Sequence, residues 1–182
     1  KESGQTVVEV ENVLPSRPEG TVSEYRQKTV DRLFSGMLSA RLSELAQKPD
    51  PPFAVGIAGR GSFFARSKDS AVLIALTKED GIERALDTLL SEAERVARFG
   101  FTATEFDRQK QSVLRNYERG AIEKENRLSG SRADEYVRNF PEGESLPTAD
   151  DEYALHKRFL PEITLAEINK LAREWYSDQN RT

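Results

Sequence analysis

Residues 53–76 read FAVGIAGRGSFFARSKDSAVLIAL, and their periodicity decides the fold class. Phe53 to Gly59 alternates large and small, with Phe53, Val55 and Ile57 on one face and Ala54, Gly56 and Ala58 on the other. A strand with one face shaved to small side chains predicts close approach by a helix or another backbone. Gly59-Arg60-Gly61 predicts a bend or bulge. A phosphate loop would need a following helix whose free amides meet the anion, and here the chain continues as strand through Ser62 to Arg66. Ser67-Lys68-Asp69-Ser70 supplies a hairpin turn, and Ala71 to Leu76 is a continuously apolar, buried strand. Strands joined by so short a turn pair antiparallel.

Working outward, Thr6 to Val13 (TVVEVENV) is a half-exposed strand, with Val8 and Val10 inward and Val7, Glu9 and Glu11 outward. Pro15, Pro18 and Gly20 end it. A long helix begins at Thr21, with Val30, Leu33, Phe34, Met37, Leu38 and Leu45 at helical spacing, and Pro49, Pro51 and Pro52 stop it. Gly81 to Phe99 is a second helix, closed by Gly100. A third runs from Thr104 to about Asn126, a further segment spans Ser129 to Phe140, and Pro141-Glu142-Gly143 turns the chain. Ala149 to Phe159 and Leu165 to Ser177 are the last helices. Thr21 with Glu24, Thr102 with Glu105 and Thr164 with Glu167 fit the capping box, in which each side chain satisfies a free amide at the helix start. Phe101 with Phe106 and Ile163 with Ile168 add the hydrophobic staple to the last two. The order β-α-β-β, followed only by helices, predicts an α+β domain: two layers, a mostly antiparallel sheet covered by helices on one face. The 182 residues suit a single domain over 1–182, and both ends read as cut from a larger protein.

Composition narrows the chemistry. Charged residues are 32% of the chain, the net charge is −4, and both signs are mixed along it, which argues against a nucleic-acid footprint. No apolar run approaches the ~18 residues of a membrane span. There is no cysteine, so no disulfide, no thiolate metal site and no cysteine nucleophile. His156 is the only imidazole, and a catalytic zinc site built from histidine and carboxylate needs more ligands than that. It reads as a core residue beside Tyr153, Phe159 and Leu160. Arg41 stands on the apolar stripe of Val30, Phe34, Met37 and Leu45. Either its stem packs while its head reaches water, or it hydrogen-bonds a carbonyl of a bound peptide or a partner domain. Asn180-Arg181-Thr182 matches the N-glycosylation pattern, which is short enough to arise by chance.

Five stretches carry a family resemblance. They are Leu33-Phe34-Ser35-Gly36-Met37-Leu38-Ser39-Ala40-Arg41-Leu42-Ser43-Glu44-Leu45 with Pro52-Phe53, Gly81-Ile82-Glu83-Arg84-Ala85-Leu86, Glu92 to Arg95, Gly100-Phe101-Thr102-Ala103-Thr104-Glu105-Phe106-Asp107-Arg108-Gln109-Lys110, and Phe159-Leu160-Pro161-Glu162-Ile163-Thr164-Leu165-Ala166-Glu167-Ile168-Asn169. In this order and spacing the chain resembles the second-type, non-catalytic domain of the insulinase/pitrilysin zinc metallopeptidases, with bacterial periplasmic or secreted members most similar. The resemblance implies a domain that closes a proteolytic chamber and helps bind a peptide or unfolded protein substrate, often as an added strand. It implies zinc in the parent protein and none in this chain, since the family's inverted H-x-x-E-H motif is absent here. The implied partner is the catalytic domain, in the same chain or in another subunit. Arg41 falls where some family members send an arginine into the active site, and Phe53 falls near the tyrosine that accompanies it, so both are candidate substrate-binding residues. The alternative is a structural or assembly domain of a proteolytically inactive relative.

Overall fold

Among the described residues, three strands form one antiparallel sheet: β1 (Thr6–Pro15), β2 (Val55–Ala65) and β3 (Lys68–Thr77), in the order β1-β3-β2. The computed structural model describes residues 6–18, 20–65, 67–126, 130, 137, 139 and 145–182. The most apolar strand takes the centre, with Ala71, Val72, Leu73 and Ala75 all buried. The β1–β3 register is continuous, pairing Val10 with Leu73 and Val7 with Leu76. Gly59-Arg60-Gly61 stays in register with β3, and the irregularity comes just after it, between Gly61 and Ala65. Arg60 explains the regularity: its guanidinium holds Asp69 on the neighbouring strand at 2.9 Å and donates to the Pro15 carbonyl at 3.0 Å.

Two residues differ from expectation. Glu11 is 7% exposed rather than solvated. Burial, followed by the nearby Glu9 carboxylate, pushes its acid up from the ordinary value. Phe53 does not share a face with Val55 and Ile57. The strand begins only at Val55, so Phe53 lies ahead of the alternation and turns back to the helix side. It is 2% exposed, whereas Val55 and Ile57 are 39% and 48% exposed on the opposite face.

Helices cover the face carrying Val8, Val10, Ala58, Leu73 and Ala75. Helix α1 (Val22–Ala46) lies over β2, and α2 (Ile82–Phe99, after a 3₁₀ turn at Glu79–Gly81) lies over β1 and β3. The close approach predicted at the shaved face is realised. A Cβ on Gly56 would sit 2.6 Å from the Phe53 ring and 2.8 Å from Leu42 Cβ. Beside it, Ser39 Oγ of α1 donates to the Ala58 carbonyl (3.1 Å) and accepts from the Ala58 amide (2.9 Å), covering that edge of β2.

Helix α3 (Ala103–Ile122) is shorter than the periodicity suggested, and Lys124–Asn126 continues as a 3₁₀ turn. The segment Ser129–Phe140 and the turn at Pro141–Gly143 fall largely outside the described residues. Helix α4 (Ala149–Glu162) packs on α3 and α1, and α5 (Leu165–Trp175) on α1 and α2. Complete capping boxes start α1 at Thr21 and Glu24 and α3 at Thr102 and Glu105; a third, Thr148 with Asp151, starts α4 and was not anticipated. The box at Thr164 is half formed. Its hydroxyl accepts from the Glu167 amide, but the Glu167 carboxylate is drawn away by Arg26 of α1, at 2.6 and 3.1 Å.

The tail returns to the sheet. Thr182 and Glu11 exchange both backbone hydrogen bonds (2.8 Å each), Val13 donates to the Asn180 carbonyl (2.9 Å), and the buried Asn12 amide holds the Ser177 and Gln179 carbonyls.

Replacing Gly56 by alanine should cost about 1–3 kcal/mol, because both neighbours of the new methyl are fixed core groups. Gly59→Ala, whose methyl would meet only Val72 Cγ2 at 3.6 Å, should cost well under that. Urea denaturation of the two variants makes the comparison, and equal losses would refute the close-packed α1–β2 seam.

Candidate functional site

Arg41 is committed within its own chain. It leaves the last quarter of α1 and meets the corner where α2 gives way to α3. Nε donates to Glu105 Oε1 (2.5 Å), and Nη2 donates to Glu105 Oε2 (3.0 Å) and to the Gly100 carbonyl (3.1 Å). The guanidinium stands 4.8 Å from the Phe101 ring centroid. A planar fork matched to a carboxylate is the strong form of a charge-assisted bond, and the aromatic face adds cation–π attraction. The two side chains are 17% and 18% exposed, so the pair is partly withdrawn from screening water. Arg41 is therefore the chief cause holding the Glu105 carboxyl down to about 2, with Thr102 contributing.

The corner needs such ties. Gly100 has φ 71°, a left-handed conformation that glycine adopts without a Cβ penalty. Asn169 of α5 lies over it, its Oδ1 accepting from the Phe101 amide at 2.9 Å. Glu105 also accepts from the Thr102 amide (2.7 Å) and hydroxyl (2.8 Å). One carboxylate thus caps α3 and binds α1. Glu105, Gly100 and Asn169 were not singled out as partners of Arg41 by the sequence. Glu105 carried a visible role as a cap, while Asn169 carried no local signal.

Phe53 serves a different junction, with its ring against Gly56 and Leu42. It also forms part of the wall of a cleft of about 510 Å³ lined by Pro52, Thr77, Lys78 and Arg84 among others. Arg84 bridges to Asp50 on the rim at 2.9 Å. Arg41 and Phe53 are not joined in a single site: one fastens the helix corner and the other seals the α1–β2 seam.

Zinc does not fit the described residues. Among the described residues no group of three His, Asp or Glu side chains could hold a metal ion. The sole imidazole is fully buried, with Nδ1 2.7 Å from the Glu152 carbonyl and Nε2 3.4 Å from Thr29 Oγ1, so neither nitrogen faces an open position. No helix among the described residues is long and apolar enough to cross a membrane.

Among the described residues, the sheet face opposite the helices carries exposed aliphatic side chains. Val7 (57% exposed), Val55 and Ile57 stand there, joined through the half-buried Leu76 and Ile74 by the pairs Val7–Leu76–Val55 and Glu9–Ile74–Ile57. The β1 edge adjoins it. Glu11 and Val13 bond outward to the tail, so by alternation the N–H and C=O of Val7 and Glu9 face the same edge, where no described residue pairs with them.

Comparison with known proteins adds the following. No family model matches the chain. It is 25% identical over 181 residues to a zinc protease PQQL-like protein of Arabidopsis thaliana, covering 100% of this chain and 15% of the relative. Its fold superposes with TM-score 0.87 on the periplasmic protease PqqL of Escherichia coli, at 16% identity over 99% of this chain and 20% of that one. A peptidase M16 inactive domain from Pseudomonas fluorescens gives TM-score 0.62 at 13% identity, covering 98% of this chain and 39% of that one. The chain thus spans about a seventh of the curated relative and a fifth of the protease PqqL. It is α+β and has the fold of insulinase-family zinc peptidase domains, inactive ones among them.

The lowered Glu105 acid has a pH signature. A carboxylate held below its unfolded value stabilises the fold above about pH 4.5 and loses that contribution as pH falls toward 2. Glu105→Gln should cost about 2–3 kcal/mol at pH 7. In thermal melts the gap to wild type should narrow steadily between pH 4.5 and 2.5; a gap independent of pH would refute the role.

Proposed function

We propose that this chain is a non-catalytic domain of a zinc metalloendopeptidase: it borders the proteolytic chamber and helps hold peptide, while another domain supplies the metal and the attacking water. The observation that carries the reading is the one-sided sheet. Helices bury one face, and the other keeps exposed aliphatic side chains beside an edge where no described residue pairs with the backbone groups of Val7 and Glu9. An extended peptide fits such a surface through main-chain hydrogen bonds along the edge, with its alternate side chains toward the apolar face. The likeness to zinc proteases and the poor fit of zinc to the described residues support the division of labour. The partner in this reading is a catalytic domain of the same polypeptide or of another subunit. Likeness to a periplasmic protease supports a periplasmic or secreted parent.

Arg41 and Phe53 enter this reading as supports of the chamber wall. The alternative is a structural domain of a proteolytically inactive relative, and one observation favours it: the arginine that the family resemblance nominates for the active site is already spent on Glu105 and Gly100.

Proline separates binding from folding here. At residue 9 the lost N–H faces the open edge, so Glu9→Pro should leave stability within about 1 kcal/mol, as edge positions tolerate proline. The same change should weaken capture of a fluorescent unfolded peptide, read by anisotropy, at least about tenfold, by blocking strand addition. Unchanged affinity with the fold intact would contradict the peptide-holding role. The chain alone should take up no stoichiometric zinc and cleave no peptide; one tight zinc per chain by metal analysis would overturn the non-catalytic assignment.

A further inference from the structure

The lone histidine sits where three helices meet. The His156 ring of α4 is 0% exposed, stacks on Tyr117 of α3 (centroids 3.6 Å apart, planes at 17°), and meets Tyr25 of α1 edge-on at 5.6 Å. Its hydrogen bonds fix one tautomer. Nδ1 lies 2.7 Å from the Glu152 carbonyl, which only accepts, so Nδ1 carries the proton. Nε2 is then the bare nitrogen, and it faces Thr29 Oγ1 at 3.4 Å, whose own proton goes to the Tyr25 carbonyl at 3.1 Å.

The charged groups around the ring favour this neutral form. From α1, Lys28 and Arg32 line the small cavity beside it, with Glu24 at the same wall, and the Arg32 guanidinium lies 5.1 Å from the centroid of Tyr117, the ring on which His156 stacks. From α3 the facing group is Tyr117. From α4 it is Glu152, whose carboxylate accepts from the Tyr25 hydroxyl at 3.1 Å. The stretch 145–147 leading into α4 brings no charge. Thr29 could accept a new N–H, and among the described residues the ring's hydrogen-bond partners are the Glu152 carbonyl and the Thr29 hydroxyl, neither of them a carboxylate.

We propose that this junction is an acid-operated latch: the uncharged His156 ring clamps α4 onto α1 and α3, and a second ring proton, at Nε2, loosens α4. The direction follows from the folded state's poor affinity for that proton. Burial, with Arg32 adding to it, lowers the ring from 6.5 to about 4, so the opened form binds the proton better and gains population as pH falls between those values. At pH 4.5 the opening equilibrium should stand roughly 60-fold above its value at pH 7.

Amide hydrogen exchange of the 182-residue chain, corrected for the intrinsic pH dependence, tests this at pH 7 and pH 4.5. In the wild type, α4 amides should lose protection by roughly that factor while β3 amides hold theirs. His156→Asn keeps a donor for the Glu152 carbonyl, and His156→Phe keeps the stacked ring; neither titrates, so in both the α4 loss should disappear. Should both variants fail to fold, the single imidazole of the wild type can be titrated by NMR, where it should not protonate above pH 5 while the fold persists. The latch is overturned by parallel loss of protection in α4 and β3, by variants that open with acid as the wild type does, or by a ring that titrates near 6.5 in the folded chain.

Discussion

The bond between Arg41 and Glu105 fixes how the helices stand on the sheet. Helix α2 ends in a left-handed glycine, and a sharp corner of that kind leaves carbonyls and amides without helical partners. Here each is claimed by a different element: α1 takes the Gly100 carbonyl through Arg41, α5 takes the Phe101 amide through Asn169, and α3 takes the Thr102 amide through its own Glu105. One carboxylate belongs to two of these ties. Four helices are thereby set relative to one another, with the aromatic rings of Phe34, Phe101 and Trp175 packed together in the core.

The sequence showed most plainly what is local. Capping boxes at Thr21 and Thr102 depend on residues three apart, and both formed. Where a distant partner competes, local reading fails. Glu167 has the spacing of a cap, yet its carboxylate goes to Arg26, 141 positions away. Strand parity failed for a related reason. Alternation places Phe53 with Val55 only if the strand already includes residue 53, and the proline-rich turn delays its start to Val55. Glu11 looked solvated because its type and phase both said so, and its burial comes from surroundings that phase does not record. Arg41 was legible as an anomaly, a cation on an apolar stripe, but its partner was hidden because Glu105 already had a sufficient local explanation.

Those facts bear on what the family signature reports. The stretches that carry the resemblance, around Arg41, Gly100 to Lys110 and Phe159 to Asn169, lie far apart in sequence and meet at this corner through Arg41, Glu105 and Asn169. Their side chains build the joint. The chemistry that insulinase-type peptidases perform needs ligands that the described residues lack. The described residues place the arginine inside the fold, while the sheet face away from the helices carries the exposed Val7, Val55 and Ile57.

The central claim is that Arg41 and Glu105 act as one structural unit, and a double-mutant cycle measures that directly. Arg41→Met, Glu105→Gln and the double variant, unfolded in urea at pH 7, should give a coupling energy of about 2 kcal/mol, as expected for a partly desolvated forked pair. A coupling below about 0.5 kcal/mol, with the two single losses simply adding, would mean the side chains act independently and the corner is held by something else.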